Sequence, residues 1–274
     1  MDVIQAIIYG IVQGLTEFLP ISSTAHIRIL PAVMGWEDPG SAFTAAIQLG
    51  TMLAVVIFFW KDLVTICHGF LTAMKTENRM DSPEFRQGLG IILGTIPILI
   101  VGYLMKDFIS NEGRSLWIIA GSLIGMGLLL AVAERVGSQK RNLSDVRVSD
   151  GLWVGLWQVI SLIPGSSRSG STITGALFLG LDRAAAARYS FLLSIPSIVA
   201  AGVYSLYSSR KELLGDDLVP MLIANVFSFV VGFISIKMLM NFLSTNRTTI
   251  FVVYRLILGA GLLIALSAGK LAAL

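Results

Sequence analysis

Apolar residues gather along this chain into long runs, without the short alternation or single-face periodicity of a water-soluble fold. Spans of about 18 or more mostly apolar residues, enough for a helix to cross roughly 30 Å of hydrocarbon, lie near 43–60, 87–105, 117–133, 189–207, 219–236 and 250–268. They predict six crossing helices. Two further apolar stretches, near 3–34 and 152–181, are interrupted by proline, serine and charge, as FLPISSTAH at 18–26 and LIPGSSRSGST at 162–172. Irregular backbone at membrane depth is tolerated only where protein buries it or it lines a wet cavity, so each stretch predicts a re-entrant helix hairpin.

The two breaks also resemble each other. Pro20, Ser22 and Ser23 fall against Pro164, Ser166 and Ser167 at a constant offset, and GMGLLLA at 125–131 matches GAGLLIA at 259–265 at a slightly shorter one, the difference fitting a longer loop around 61–85. Each half then reads as one re-entrant hairpin followed by three crossings, and an odd number of crossings turns the second half upside down. The expected fold is an all-α polytopic membrane protein, one domain over 1–274. It comprises a first repeat at 1–134, a connecting loop at 135–150 and an inverted second repeat at 151–274. Interrupted segments at corresponding positions of such halves meet near the midplane, which predicts one shared cavity.

Composition agrees: 55% of the residues are hydrophobic and 14% charged. The net charge of +3 is spread between apolar runs, which fits membrane topology and not a nucleic-acid stripe. Cys67, the single cysteine, excludes an internal disulfide and reads as a small filler near a helix end. The first residues carry an acid at Asp2 and no small-residue cleavage site before Gln13, so they read as part of the fold. Lys61, Lys75, Arg79, Arg86, Arg135, Lys140, Arg141, Arg147, Arg183, Arg188 and Arg247 fall on one side. Arg28, Lys106, Arg114, Arg210, Lys211 and Lys270 fall on the other, so the first side is expected to be cytoplasmic and the mouth of the first hairpin outward. The segment 134–150 is expected to be a solvated loop without chemistry, and His68 a loop residue. Trp36, Trp60, Trp117, Trp153 and Trp157 are read as an interfacial belt, and Pro97 and Pro196 as kinks.

Candidate chemistry sits at the breaks. Gln13 and Glu17 stand four apart ahead of Pro20, on one helix face. An intramembrane carboxylate is expensive and functional by default, whereas an amide can simply bridge helices. Ser22, Ser23 and Thr24 follow the proline as helix-restarting residues do. Hydroxyls there cap free N–H groups, and a helix start also receives phosphate, so Ser23 reads either as a cap or as a nucleophile. His26, one turn on, could move a proton or pack as neutral imidazole. In the second break, Gly165, Ser166, Ser167, Ser169, Gly170, Ser171 and Thr172 allow backbone N–H groups to converge on an anion, and Arg168 offers a fork that matches phosphate oxygens.

QGLTEFLPISSTAH at 13–26 together with PGSSRSGST at 164–172 resembles the two signature segments of the undecaprenyl-diphosphate phosphatase family, also called the bacitracin-resistance protein family. The resemblance implies removal of the terminal phosphate of undecaprenyl diphosphate at the outer face of the bacterial cytoplasmic membrane, recycling the lipid carrier of cell-wall synthesis. It implies catalytic roles for Glu17, Ser23, His26 and Arg168. Ser22, Thr24, Gly165, Ser166, Ser167, Ser169, Gly170 and Thr172 are then expected at the substrate. Many members carry a second Glu where this chain has Gln13. A divalent cation, Mg2+ or Ca2+, is still expected by resemblance, with Glu17 and Gln13 as its oxygen donors. The partners expected are a polyprenyl diphosphate lipid and the membrane, no nucleic acid, and a second copy of the chain as one compatible assembly. A transporter or flippase for an anionic or prenyl-phosphate substrate would also use broken helices in inverted repeats, with Glu17 and His26 as proton-coupling groups. A passive anion pore leaves Glu17 without a role.

Overall fold

The structure, a computed structural model, describes residues 1–110, 112–208 and 218–272. Among these residues the regular elements are helices, with one isolated bridge between Arg141 and Leu181. Six segments are long and apolar enough to cross a membrane: Gly40–Phe58, Pro83–Leu104, Leu116–Val136, Arg183–Tyr204, Leu218–Leu243 and Thr249–Ser267. The protein is an all-α polytopic membrane protein.

The chain opens with α1 (Val3–Phe18), started by a capping box between Asp2 and Gln5. It stops where Leu19 precedes Pro20, because the proline ring expels its predecessor from helical dihedrals; Leu19 has φ −65° and ψ 140°. The helix restarts as α2 (Ser23–Met34). The first crossing is itself broken at Ile47 into α3 (Gly40–Ala46) and α4 (Gln48–Phe58). Two side chains from a later helix serve that break: Asn225 Oδ1 accepts from Gly50 N at 2.7 Å, and the Ser228 hydroxyl donates to Ile47 O at 3.0 Å. Then come α5 (Trp60–Ala73), α6 (Pro83–Leu104), the short α7 (Lys106–Ser110) and α8 (Leu116–Val136). The second part comprises α9 (Val148–Ile160), α10 (Arg168–Phe178), α11 (Arg183–Ser208), α12 (Leu218–Leu243) and α13 (Thr249–Ser267).

Packing crosses between the two parts. α1 lies along α12, α9 along α6, and α8 against α13. Small residues permit these approaches, as association in lipid requires. A Cβ on Gly10 would fall 2.4 Å from Ala224 O, and one on Gly155 would fall 2.2 Å from Gly94 O. The ion pairs are segregated to the ends of the bundle. One end holds Asp38 between Arg28 and Arg114. The other holds Glu134–Arg183, Asp62–Arg188 and Arg141–Asp150.

Several expectations are corrected. The segment after the first crossing is not a loop: α5 carries Cys67 and His68 in its middle, both exposed, because Ile66 and Ala73 give it a buried face. The fourth crossing begins at Arg183, earlier than expected, because Arg183 and Arg188 find carboxylates at the polar end. The connector at 134–150 is not merely solvated. Asp150 is buried against Arg141, whose guanidinium also donates to Leu179 O and Asp145 O. Trp153 and Trp157 also make specific contacts with α10: Trp153 Nε1 donates to Gly175 O at 3.1 Å, and the Trp157 side chain occupies the space a Gly175 side chain would need. Pro97 and Pro196 lie inside helices. Arg210 and Lys211 fall outside the described residues.

Candidate active site

Both restarted helices begin in the same unusual way. Ser22 caps α2 with φ 74°, and Ser167 caps α10 with φ 72°; these are two of three non-glycine residues with positive φ among the described residues. Each hydroxyl accepts from the N–H three residues on, Ser22 Oγ from Ala25 at 3.3 Å and Ser167 Oγ from Gly170 at 3.1 Å. A left-handed serine costs on the order of 1–3 kcal/mol and persists only where its surroundings fix it. The caps also correct the alignment of the two breaks. Ser22 corresponds to Ser167, not to Ser166, because Gly165 adds one residue after Pro164.

What fixes both turns is a residue the sequence reading passed over. Arg255, wholly buried on α13, donates from Nη1 to Pro20 O at 3.0 Å and from Nη2 to Gly165 O and Ser166 O, each at 3.0 Å. Its remaining bonds reach Ser122 O and Leu123 O of α8, at 3.2 and 3.1 Å. One guanidinium thus ties both breaks to the α8–α13 pair. Ser169 adds a second tie, its hydroxyl donating to Leu19 O at 3.1 Å. A charge in the middle of the apolar span 250–268 was the available signal.

Between the two helix starts lies a small cavity of about 40 Å³ lined by Glu17, Ser22, Ser23, Thr24, Gln48, Ser161, Gly165, Ser167 and Arg168. Ser23 donates its hydroxyl to Glu17 Oε2 at 2.5 Å, and Gln13 Nε2 donates to the same oxygen at 2.9 Å. Arg168 is half-buried, and its Nε and Nη1 are hidden from solvent without a hydrogen-bond partner. An unpaired buried guanidinium is costly to leave alone and is matched by an anion. With Ala25 and Gly170 N–H taken by the caps, the preceding N–H groups of both first turns stay outside intrahelical bonding. The cavity therefore combines one carboxylate–hydroxyl pair with a cation and two partly positive helix ends.

Not every expected residue lines it. Ser166 gives its carbonyl to Arg255, and Ser169 ties the hairpins. The Thr172 hydroxyl donates to Arg168 O at 2.8 Å and also meets Ser190 Oγ. Gly170 is buried beside the Arg255 guanidinium. His26 is not among the lining residues either. Its Nδ1 lies 2.7 Å from Ser22 O and its Nε2 2.6 Å from Tyr254 Oη. A carbonyl only accepts, so Nδ1 carries the proton, and in neutral imidazole Nε2 accepts from the Tyr254 hydroxyl. Gln48, delivered to the cavity by the break between α3 and α4, and Ser161 also line it, and Tyr254 meets His26; none of the three was expected from the sequence. Gln48 was visible as a lone amide in an apolar span; Ser161 and Tyr254 gave no such signal.

For a cation, the donor chemistry is oxygen only. Glu17 brings a carboxylate to the cavity, whereas Gln13, fully buried and not among the lining residues, touches it only through Glu17 and keeps its Oε1 without a partner. No cluster of three or more His, Cys, Asp or Glu suited to a metal occurs among the described residues. This set fits a hard cation that takes most of its ligands from phosphate and water.

The sequence matches the family described as bacitracin resistance protein BacA over residues 6–261. It is 48% identical to an undecaprenyl-diphosphatase of Chlorobium limicola and 49% identical to one of Chloroherpeton thalassium, each alignment covering 100% of both chains. It is 47% identical to an undecaprenyl-diphosphatase of Myxococcus xanthus over 99% of this chain and 91% of that protein. The chain belongs to the bacitracin resistance protein BacA family.

Proposed function

We propose that this protein hydrolyses undecaprenyl diphosphate to undecaprenyl phosphate and inorganic phosphate, recycling the lipid carrier of cell-wall synthesis at the outer face of the bacterial cytoplasmic membrane. The observation that carries the reading is the Ser23–Glu17 hydrogen bond facing the unpaired Arg168 across one cavity between two helix starts. Relatives covering the full chain bear the same activity in their names.

Phosphoryl transfer asks a protein mainly to position the group and neutralise its charge. Arg168 and the free N–H groups of α2 and α10 would hold the terminal phosphate. Glu17, hydrogen-bonded to Ser23, is placed to accept a proton from that hydroxyl, or from a water in its place, as the new bond to phosphorus forms in line with the breaking anhydride bond and undecaprenyl phosphate leaves; on the serine path a water then cleaves the phosphoserine to release inorganic phosphate. His26, which does not line the cavity, would act as a positioning residue, its Nδ1–H on Ser22 O and its Nε2 accepting from the Tyr254 hydroxyl, holding the cap of α2 in place. Glu17, with Gln13 behind it, would hold a divalent cation, Mg2+ or Ca2+, which supplies charge neutralisation on the diphosphate oxygens. The two parts of the chain are proposed to be the halves of an inverted repeat, an assignment supported by the matched caps and by the crossed packing of α1 on α12 and α9 on α6.

The test is phosphate release from a prenyl diphosphate by detergent-purified protein. Glu17→Ala, His26→Ala and Arg168→Ala are each expected to lower the rate by about 100-fold or more. Wild-type protein that binds the lipid but releases no phosphate would instead support transport.

A further inference from the structure

At the end of the bundle that holds Glu134, a cleft of about 1090 Å³ opens beside α8 and α13. That is at the upper end of the roughly 300–1,000 Å³ of small-molecule sites. Its walls are apolar: Leu128 and Val132 stand one turn apart on α8, facing Val252 and Leu256 one turn apart on α13. Leu128 and Val132 are 52% and 48% exposed and lie within the apolar crossing segment Leu116–Val136. The mouth is basic, with Arg135, Arg183 and Arg247. Glu134 is the only carboxylate there and both its oxygens are engaged, one by Arg183 at 2.5 Å and the other by the Thr248 hydroxyl at 2.8 Å. Arg135 and Arg247 have no ion-pair partner among the described residues. The cleft therefore carries two uncompensated positive charges above an apolar slot. Its basic mouth is set apart from the breaks: Arg135 lies twelve residues beyond Leu123, which meets Arg255, about 18 Å along α8, while the apolar wall reaches Leu256, next to Arg255 in sequence.

We propose that this cleft binds one anionic glycerophospholipid, its phosphate between Arg135 and Arg247 and an acyl chain along Leu128, Val132, Val252 and Leu256. Excess arginine at a membrane boundary selects anionic over zwitterionic headgroups. The apolar wall from Leu128 to Arg135 spans seven residues, about 10 Å, which suits the upper part of an acyl chain better than a long prenyl tail.

The experiment is native mass spectrometry of the full chain released from detergent containing equal amounts of phosphatidylglycerol and phosphatidylcholine with the same acyl chains. Wild type is expected to retain phosphatidylglycerol about fivefold or more over phosphatidylcholine. Arg135→Gln/Arg247→Gln is expected to lose that preference while releasing phosphate from a prenyl diphosphate at the wild-type rate. Val132→Trp, which fills the slot, is expected to lower retention of both lipids, with the elution volume of the purified protein showing that each variant is folded. Equal retention of the two lipids by wild type, a preference that survives the double substitution, or displacement of phosphatidylglycerol by an equimolar prenyl monophosphate would each overturn the proposal.

Discussion

Replacing Arg255 with methionine is the perturbation that probes the site's architecture most deeply, because this side chain never touches the cavity. The substitution removes five hydrogen bonds to carbonyls. Ser122 O and Leu123 O lie within α8 and retain helical partners. Pro20 O, Gly165 O and Ser166 O stand in the breaks and lose their donor. An orphaned buried carbonyl costs about 1–3 kcal/mol, so the three together cost about 3–9 kcal/mol. Water from the adjoining cavity, and relief from keeping a cation buried, both reduce that sum. The lower end, about 3 kcal/mol, is the expected loss of stability. The effect on rate is larger in consequence, since Ser22 and Ser167 are held in left-handed dihedrals by the turns that Arg255 secures. A displacement of about 1 Å in positioned groups costs about 100-fold. Arg255→Met is thus expected to lower kcat/KM for a prenyl diphosphate by about 100-fold, with a reduced melting temperature in detergent. Arg255→Lys has three donors for five carbonyls and should fall between. Wild-type kcat/KM in Arg255→Met would refute the reasoning.

Glu17→Gln keeps the shape of the Ser23 contact but removes the proton acceptor, so phosphate release should fall about 100-fold or more while protein yield and melting are unchanged. Gly155→Val puts side-chain atoms where a Cβ already falls 2.2 Å from Gly94 O, and thermal unfolding should show a loss of about 1–3 kcal/mol or more. Burial would raise the Asp38 pKa, but the hydrogen bond and charge of Arg114, with the Gly40 N–H and Arg28, hold the carboxyl below its usual value. A depressed folded pKa contributes stability that is present above the unfolded pKa and fades as pH falls through the folded one. Melting of wild type should therefore lose, on acidification below the ordinary carboxylate range, an increment that Asp38→Asn lacks. For a partly exposed pair that increment is about 1 kcal/mol or less.

The large features of the fold were legible because hydrocarbon imposes a length on any helix that crosses it, and because proline followed by serine cannot continue one. Six spans and two breaks follow from those rules. Glu17, Ser23 and Arg168 could be read as chemistry for the same reason: each is out of place in lipid unless it serves something. The division of labour among the hydroxyls was not legible. Ser167 and Ser169 differ in task, one lining the cavity and the other tying Leu19, by a rotation that no local pattern encodes. Arg255 was visible as a charge in lipid, but its partners stand up to 235 residues away in sequence and are backbone carbonyls, which look alike at every position. The same limit hid Tyr254 behind His26. The α5 helix was missed because its apolar face is narrow and its ends are polar.

The central claim is that the two restarted helices grip one diphosphate through Arg168. Calorimetric titration of purified wild type and Arg168→Gln with a methylene-bridged prenyl bisphosphonate, which cannot be hydrolysed, tests it directly. A charge-assisted contact of about 1.5–3 kcal/mol predicts an affinity weakened about tenfold or more in the variant. Equal Kd values for the two proteins would contradict it.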